Sequence, residues 1–117
     1  MGFITGDIML DMDTIYSAVT RLVEAASAPS RVILFGSYAR DTAEADSDLD
    51  LLVIQQKIED RGREYLRLRE ALGRVAPGIG VDLLLYQESE FIRRSQVPGT
   101  LLFEARQEGK VLYDAIH

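Results

Sequence analysis

Two apolar runs, 31–35 (Arg-Val-Ile-Leu-Phe) and 49–55 (Leu-Asp-Leu-Leu-Val-Ile-Gln), stand about a dozen residues apart, with no full helical period between them. Short runs rich in Val, Ile and Leu, bounded by turn residues, read as buried strands. A parallel crossover needs a dozen or more residues and usually a helix. The pair therefore predicts a mixed sheet rather than a purely parallel one. The near-continuous apolar character of 49–55 places it centrally, covered on both faces.

Helical patterns flank these runs. Asp13 is a candidate cap for a helix reaching about Ala26, with Ile15, Val19, Leu22, Val23 and Ala26 on one face. Ala28-Pro29-Ser30 ends it. Residues 37–41 predict one helical turn and 42–47 a polar loop. Residues 60–75 predict a second helix with Tyr65, Leu68, Leu72 and Val75 inward, broken by Pro77-Gly78-Ile79-Gly80. A third strand is expected at 81–86 and a short helix at 88–95. A further helix starts at Pro98-Gly99 and runs through Gln107, with Gly109 as its stop. Residues 110–113 read as an edge strand, and 1–11 as a tail or short edge strand. This alternation is α/β, a mixed sheet packed against helices. The 117 residues are read as one domain, 1–117, with room for one core and little for a second substrate domain.

Composition removes several chemistries. There is no cysteine, so thiolate catalysis and thiolate-bound zinc are excluded, and a reducing compartment fits. The single histidine, His117, is the last residue, which excludes a histidine-based triad or a multi-histidine metal site. Carboxylates are left for acid–base and metal work. The net charge of −6 argues against a domain that grips a nucleic-acid template. No apolar stretch approaches a membrane span, and the N-terminus does not read as a secretory signal.

Residues 36–53 carry the chemistry: Gly36 and Ser37 right after the first strand, Arg40, a short loop, then Asp48 and Asp50 opening the second strand. Alternation places Asp48, Asp50, Leu52 and Ile54 on one face, with the acids at the sheet edge. Asp82 begins the third strand and can join them if that strand pairs beside the second. Three clustered carboxylates repel one another unless a cation lies between them. Mg2+ suits such a set, with one or two protein carboxylates completed by substrate phosphates and water. Gly36 leaves space for a phosphate, and Ser37 brings a hydroxyl and a free N–H to it. Arg40 either reaches a phosphate or clamps the loop through Asp46 or Glu44. An Asp-x-Asp pair or a Gly-Ser turn alone is usually only a turn. The eighteen-residue combination is specific.

These residues resemble the nucleotidyltransferase superfamily of DNA polymerase beta. Its pattern is Gly-Ser, a few residues, Arg, a loop, then Ser-Asp-x-Asp-Leu, matched here by Gly36, Ser37, Arg40, Ser47, Asp48, Asp50 and Leu51. A glycine commonly follows the arginine in that family, where this chain has Asp41. The short length is similar to that of the minimal nucleotidyltransferases of prokaryotic toxin–antitoxin pairs. The resemblance implies the polymerase-beta-like fold, with strand order 1-2-3. It implies ATP as substrate and Mg2+ held by Asp48, Asp50 and Asp82, while Gly36, Ser37 and Arg40 bind the nucleotide. It further implies transfer of AMP to a tyrosine of a HEPN-domain toxin, in a cytoplasmic hetero-oligomer that silences the toxin. Asp82 serves as a ligand or as the general base. Two rival readings are an antitoxin that neutralises by contact alone and a small-molecule nucleotidyltransferase of the aminoglycoside-modifying type.

Outside this stretch, Arg61, Arg63, Arg67, Arg69 and Arg74 make one helix basic. They read as a solvated face paired with Glu59, Glu64 and Glu70, or more sharply as a docking face for an acidic partner or for the substrate. Tyr16, Tyr65, Tyr86 and Tyr113 read as packing residues.

Overall fold

The computed structural model describes residues 9–115. The elements run α1 (Met12–Ala25), β1 (Pro29–Phe35), a 3₁₀ turn (Gly36–Tyr38), β2 (Leu49–Gln55), α2 (Arg61–Leu72), β3 (Val81–Gln87), α3 (Glu88–Arg94), α4 (Leu101–Glu108) and β4 (Lys110–Asp114). The expectation for residues 1–11 lies mostly outside the described residues; residues 9–11 are irregular and lead into α1. His117 also lies outside them.

The four strands form one sheet in the order β3-β2-β1-β4. β1 is antiparallel to β2 and to β4, and β2 is parallel to β3. The sheet is therefore mixed, as the short β1–β2 interval requires, and it contains the expected neighbours 1-2-3. β2 lies between two strands and every residue but Asp50 is buried. Its alternating side chains feed two cores. Leu49, Leu51 and Val53 pack with Val32, Leu34, Leu83 and Leu85 beneath α1 and α2, against Ile15, Val19, Leu22, Leu68 and Leu72. Leu52 and Ile54 pack on the opposite face with Ile33 and Phe35, against Phe91 of α3 and Leu102 and Ala105 of α4.

Helix boundaries follow the caps. Asp11, not Asp13, caps α1: its carboxylate accepts the Thr14 N–H at 2.8 Å. Asp13 lies in the first turn instead, where a negative charge also faces the helix N-terminus favourably. α2 stops at Leu72 because Gly73 turns to φ 59° with its N–H on the Arg69 carbonyl, so Val75 falls beyond the helix. α4 begins at Leu101 rather than at Pro98-Gly99, since Thr100 caps it through the Phe103 N–H. Tyr16 is not a packing residue: it is exposed on α1.

The basic helix is less solvated than its charges suggest. Glu64 is buried at 6% exposure, where it accepts from the Ser27 N–H at 2.9 Å, the Ser27 hydroxyl at 3.0 Å and the Gln55 amide at 2.7 Å, and pairs with Arg67. Burial pushes its pKa up, but the hydrogen bonds from Ser27, Gln55 and Arg67 outweigh burial and hold it below the ordinary glutamate value. Arg61 and Arg69 reach the carbonyls of Leu85 and Val81 on β3. Among the described residues Arg67 makes the expected pair with Glu64, whereas Arg63 pairs with the cap residue Asp60 and Glu59 with Lys57.

Candidate active site

The sheet pairing assembles the site. Because β1 runs against β2, its C-terminal end meets the start of β2: Phe35 lies opposite Asp50. Because β3 runs with β2, the two strand starts are side by side, and Asp50 lies in register with Asp82. Three chain segments far apart in sequence thus meet at one end of the sheet. Asp50 and Asp82 share the face that carries Leu52 and Leu84 deeper in the sheet, under α3 and α4.

Gly36 adopts φ 75°, a left-handed conformation that only glycine takes without strain. A Cβ placed there would overlap the Asp50 carboxylate. The glycine therefore makes space for the acid itself, a constraint that a phosphate-clearance reading does not contain. The chain then closes a tight turn, with the Ala39 and Arg40 N–H groups on the Gly36 carbonyl at 3.1 and 3.2 Å. Tyr38 and Ala39 are buried and hold this turn to the core, and the Tyr38 hydroxyl accepts the Leu10 N–H at 3.3 Å. Ser37 is half-buried, and its carbonyl accepts the Thr42 N–H at 3.0 Å. Asp41 has φ 60°, the left-handed region again. That explains why glycine suits this position; aspartate is among the residues that enter the region most readily.

A cleft of about 460 Å³ opens at this end of the sheet, lined by Gly36, Arg40, Asp50 and Asp82, by Tyr65 and Arg69 of α2, and by Leu101 and Glu104 of α4. Four of the six expected site residues line it. Ser37 and Asp48 do not. Asp48 stands just outside β2, exposed, where the Leu49 N–H continues the ladder to the Gly80 carbonyl at 2.9 Å. A Cβ at Gly80 would come within 2.8 Å of the Asp48 carboxylate. Gly80 is thus a second clearance glycine, for which the only signal was the Gly-Ile-Gly spacing before β3. Ser47 closes the loop ahead of the acids: its hydroxyl accepts the Glu44 N–H at 2.7 Å, and its own N–H returns to the Glu44 carbonyl at 3.0 Å.

The electrostatics centre on Asp50. Its pKa is pushed up to about 6, first by burial, then by its hydrogen bond with Asp82 and by the charges of Asp82 and Asp48; Arg40 opposes the rise. Arg40 does not clamp the loop through Asp46 or Glu44. It reaches across to Glu108 at the end of α4, at 3.6 Å, and keeps its guanidinium at the cleft. Among the described residues no three Asp, Glu, His or Cys side chains close into a metal cage by themselves. The close unit is the Asp50–Asp82 pair, with Asp48 acting on it through charge. Two hard-oxygen ligands whose mutual repulsion favours a cation between them are a donor set that fits Mg2+, which takes few protein carboxylates and completes its shell from phosphates and water.

Tyr65, read from the sequence as a packing residue, and Arg69, read as part of a solvated or docking face, both line the cleft, as do Leu101 and Glu104, which sequence reading left unassigned. Tyr65 and Arg69 carried a signal, four residues apart on one predicted helix; the α4 pair carried none, because its approach to β1 and β2 is decided by packing.

A family model described as "Polymerase beta, Nucleotidyltransferase" matches residues 18–116. No curated protein sequence matches the chain. Several solved structures share the fold. A Sulfolobus solfataricus protein assigned as a nucleotidyltransferase superposes with TM-score 0.57 at 18% identity, over 90% of this chain and 81% of that one. A chain of a toxin–antitoxin complex with AMP-PNP gives 0.57 at 24% identity, covering 91% and 75%. A chain of the Shewanella oneidensis complex of a tri-AMPylated HEPN toxin with its MNT antitoxin gives 0.52 at 20%, covering 92% and 75%.

Proposed function

The chain belongs to the polymerase beta nucleotidyltransferase family, and from that premise we propose that it transfers AMP from ATP to a tyrosine hydroxyl of a partner HEPN-domain toxin, as the antitoxin of the pair. The observation that carries the reading is the register of Asp50 against Asp82 beside the Gly36 turn, in an open cleft. The solved complexes of similar fold, one holding AMP-PNP and one an AMPylated toxin, support the nucleotide, the partner and a hetero-oligomer. A cysteine-free chain suits a cytoplasmic setting.

Asp50 and Asp82, with Asp48 beside them, would hold Mg2+, which when bound neutralises charge on the triphosphate. Gly36 and Ser37 receive the leaving phosphates, and Arg40 adds a positive charge at the same end. Asp82, the more exposed of the pair, takes the proton of the attacking hydroxyl. The contribution of the protein is alignment and electrostatics, which need neither histidine nor cysteine.

The test uses native chain, Mg2+, labelled ATP and the co-purified HEPN partner, with adducts read by intact mass. Native protein adds AMP to a partner tyrosine; Asp48→Asn and Asp50→Asn lower the rate by at least about 10²-fold. Toxicity suppressed without any adduct would overturn the enzymatic reading in favour of neutralisation by contact. An adduct on a small hydroxylated metabolite instead would move the acceptor class.

A further inference from the structure

The turn after β1 and the junction of α4 with β4 hold each other through two crossed ion pairs. Arg40 Nη1 lies 3.6 Å from Glu108 Oε1, and Lys110 Nζ lies 3.8 Å from Asp41 Oδ1. Each segment thus supplies one cation and one carboxylate. Gly109, between Glu108 and Lys110, fixes the junction on β1: a Cβ there would overlap the Ala105 carbonyl and the Ile33 side chain. Lys110 then pairs with Leu34, two residues before Gly36, and its ammonium stands at the turn that follows Gly36.

Both contacts are longer than a charge-assisted hydrogen bond, and all four side chains are well exposed. Pairs of this kind contribute little to the fold, so their partners are free to change. A phosphate in direct contact is a stronger partner than either carboxylate, with more charge and more acceptor oxygens. The cleft is itself acidic through Asp50, Asp82 and Glu104. A triphosphate entering it needs cations where its leaving phosphates lie, and Arg40 already stands at that end. We propose that Lys110 is a second cation for the leaving phosphates, beside Arg40, and that Asp41 and Glu108 are the counter-ions those phosphates displace. This rests on the transfer reading above. Asp41, where the family commonly has glycine, then keeps Lys110 at the turn until a nucleotide arrives.

The experiment is calorimetric titration of the full chain, with its co-purified partner present, using AMP and the non-cleavable α,β-methylene analogue of ATP, each with Mg2+. Native protein is compared with Lys110→Gln, Lys110→Arg, Asp41→Asn and Glu108→Gln, each checked for folding by thermal melting. Lys110→Gln weakens the triphosphate analogue at least about fivefold, the upper size of an exposed charge contact, and leaves AMP within about twofold. Lys110→Arg keeps most of the native affinity. Asp41→Asn and Glu108→Gln tighten the analogue about twofold, because a competing carboxylate is gone. The two halves of one ion pair therefore move affinity in opposite directions. A purely structural pair would lower the melting temperature from either half and leave the preference for triphosphate over AMP unchanged; that result overturns the proposal. Lys57→Gln is the control for net charge, since Lys57 pairs with Glu59 beyond the other end of β2. An equal loss from Lys57→Gln also overturns the role of Lys110. A native protein that binds neither nucleotide sinks the transfer reading and the proposal with it, whereas native binding with an unaffected Lys110→Gln sinks the proposal alone.

Discussion

Asp50 gives the residue scale its clearest pH signature. Its folded pKa, about 6, lies above its ordinary value of 3.8, so the folded chain holds a proton that the unfolded chain releases between those values. The stability this contributes is present below pH 3.8 and is lost as pH rises through about 6. Denaturant titrations with chelator present will show stability falling over that window. Asp50→Asn removes the slope and leaves the variant more stable than native at pH 7, by about 1 kcal/mol once solvent screening of a partly exposed group is allowed for. A less stable variant would mean that the Asp50–Asp82 contact is not strained by charge. Asp41 makes a second residue-scale case. Asp41→Gly relieves a left-handed backbone and is expected to stabilise by up to about 1 kcal/mol, at the loss only of an exposed 3.8 Å contact with Lys110. Thermal melting checks it; a lower Tm would show that the aspartate side chain holds the turn.

At the scale of elements, α2 secures β3 in two ways. Arg61 and Arg69, eight residues apart, span about 12 Å of helix axis. Val81 and Leu85, four residues apart, span about 13 Å of strand. The match lets both guanidiniums cap β3 carbonyls on an edge strand, which blocks pairing with another chain. The other edge, β4, is short and carries Lys110. The buried Glu64 ties α2 to the α1–β1 connection and to the end of β2 through Ser27 and Gln55. Glu64→Ala strands these donors and is expected to cost about 2–3 kcal/mol, read as a lower denaturation midpoint at pH 7. Since the Glu64 pKa is held low in the fold, its contribution is present above pH 4.5 and fades as pH falls through the lowered value. A Glu64→Ala chain with native stability at pH 7 would rule out this role.

For the whole molecule, a net charge of −6 surrounds an acidic cleft. Nucleic-acid backbone is repelled from such a surface unless local cations dominate. Gel-shift measurements at about 0.15 M salt are expected to show no retention of duplex DNA; tight binding would redirect the search for an acceptor toward nucleic acid. A cleft open at one end of the sheet instead leaves room for an acceptor supplied by another molecule.

The sequence by itself determined the strands, their mixed pairing and the chemistry available. The apolar runs had to be buried, the β1–β2 interval was too short for a helical crossover, and the absence of cysteine left carboxylates. Gly36, Asp50 and Asp82 were legible because turn residues and strand starts have local signatures. Only the tertiary structure decided what those residues do to one another. The clearance that Gly36 gives Asp50 and Gly80 gives Asp48, the contact of Asp50 with Asp82, the burial of Glu64 and the placing of Tyr65, Arg69 and Glu104 in one cleft all depend on strand register and helix packing. Those are contacts between residues distant in the chain, and no local pattern encodes a distance between segments that meet only when the sheet forms.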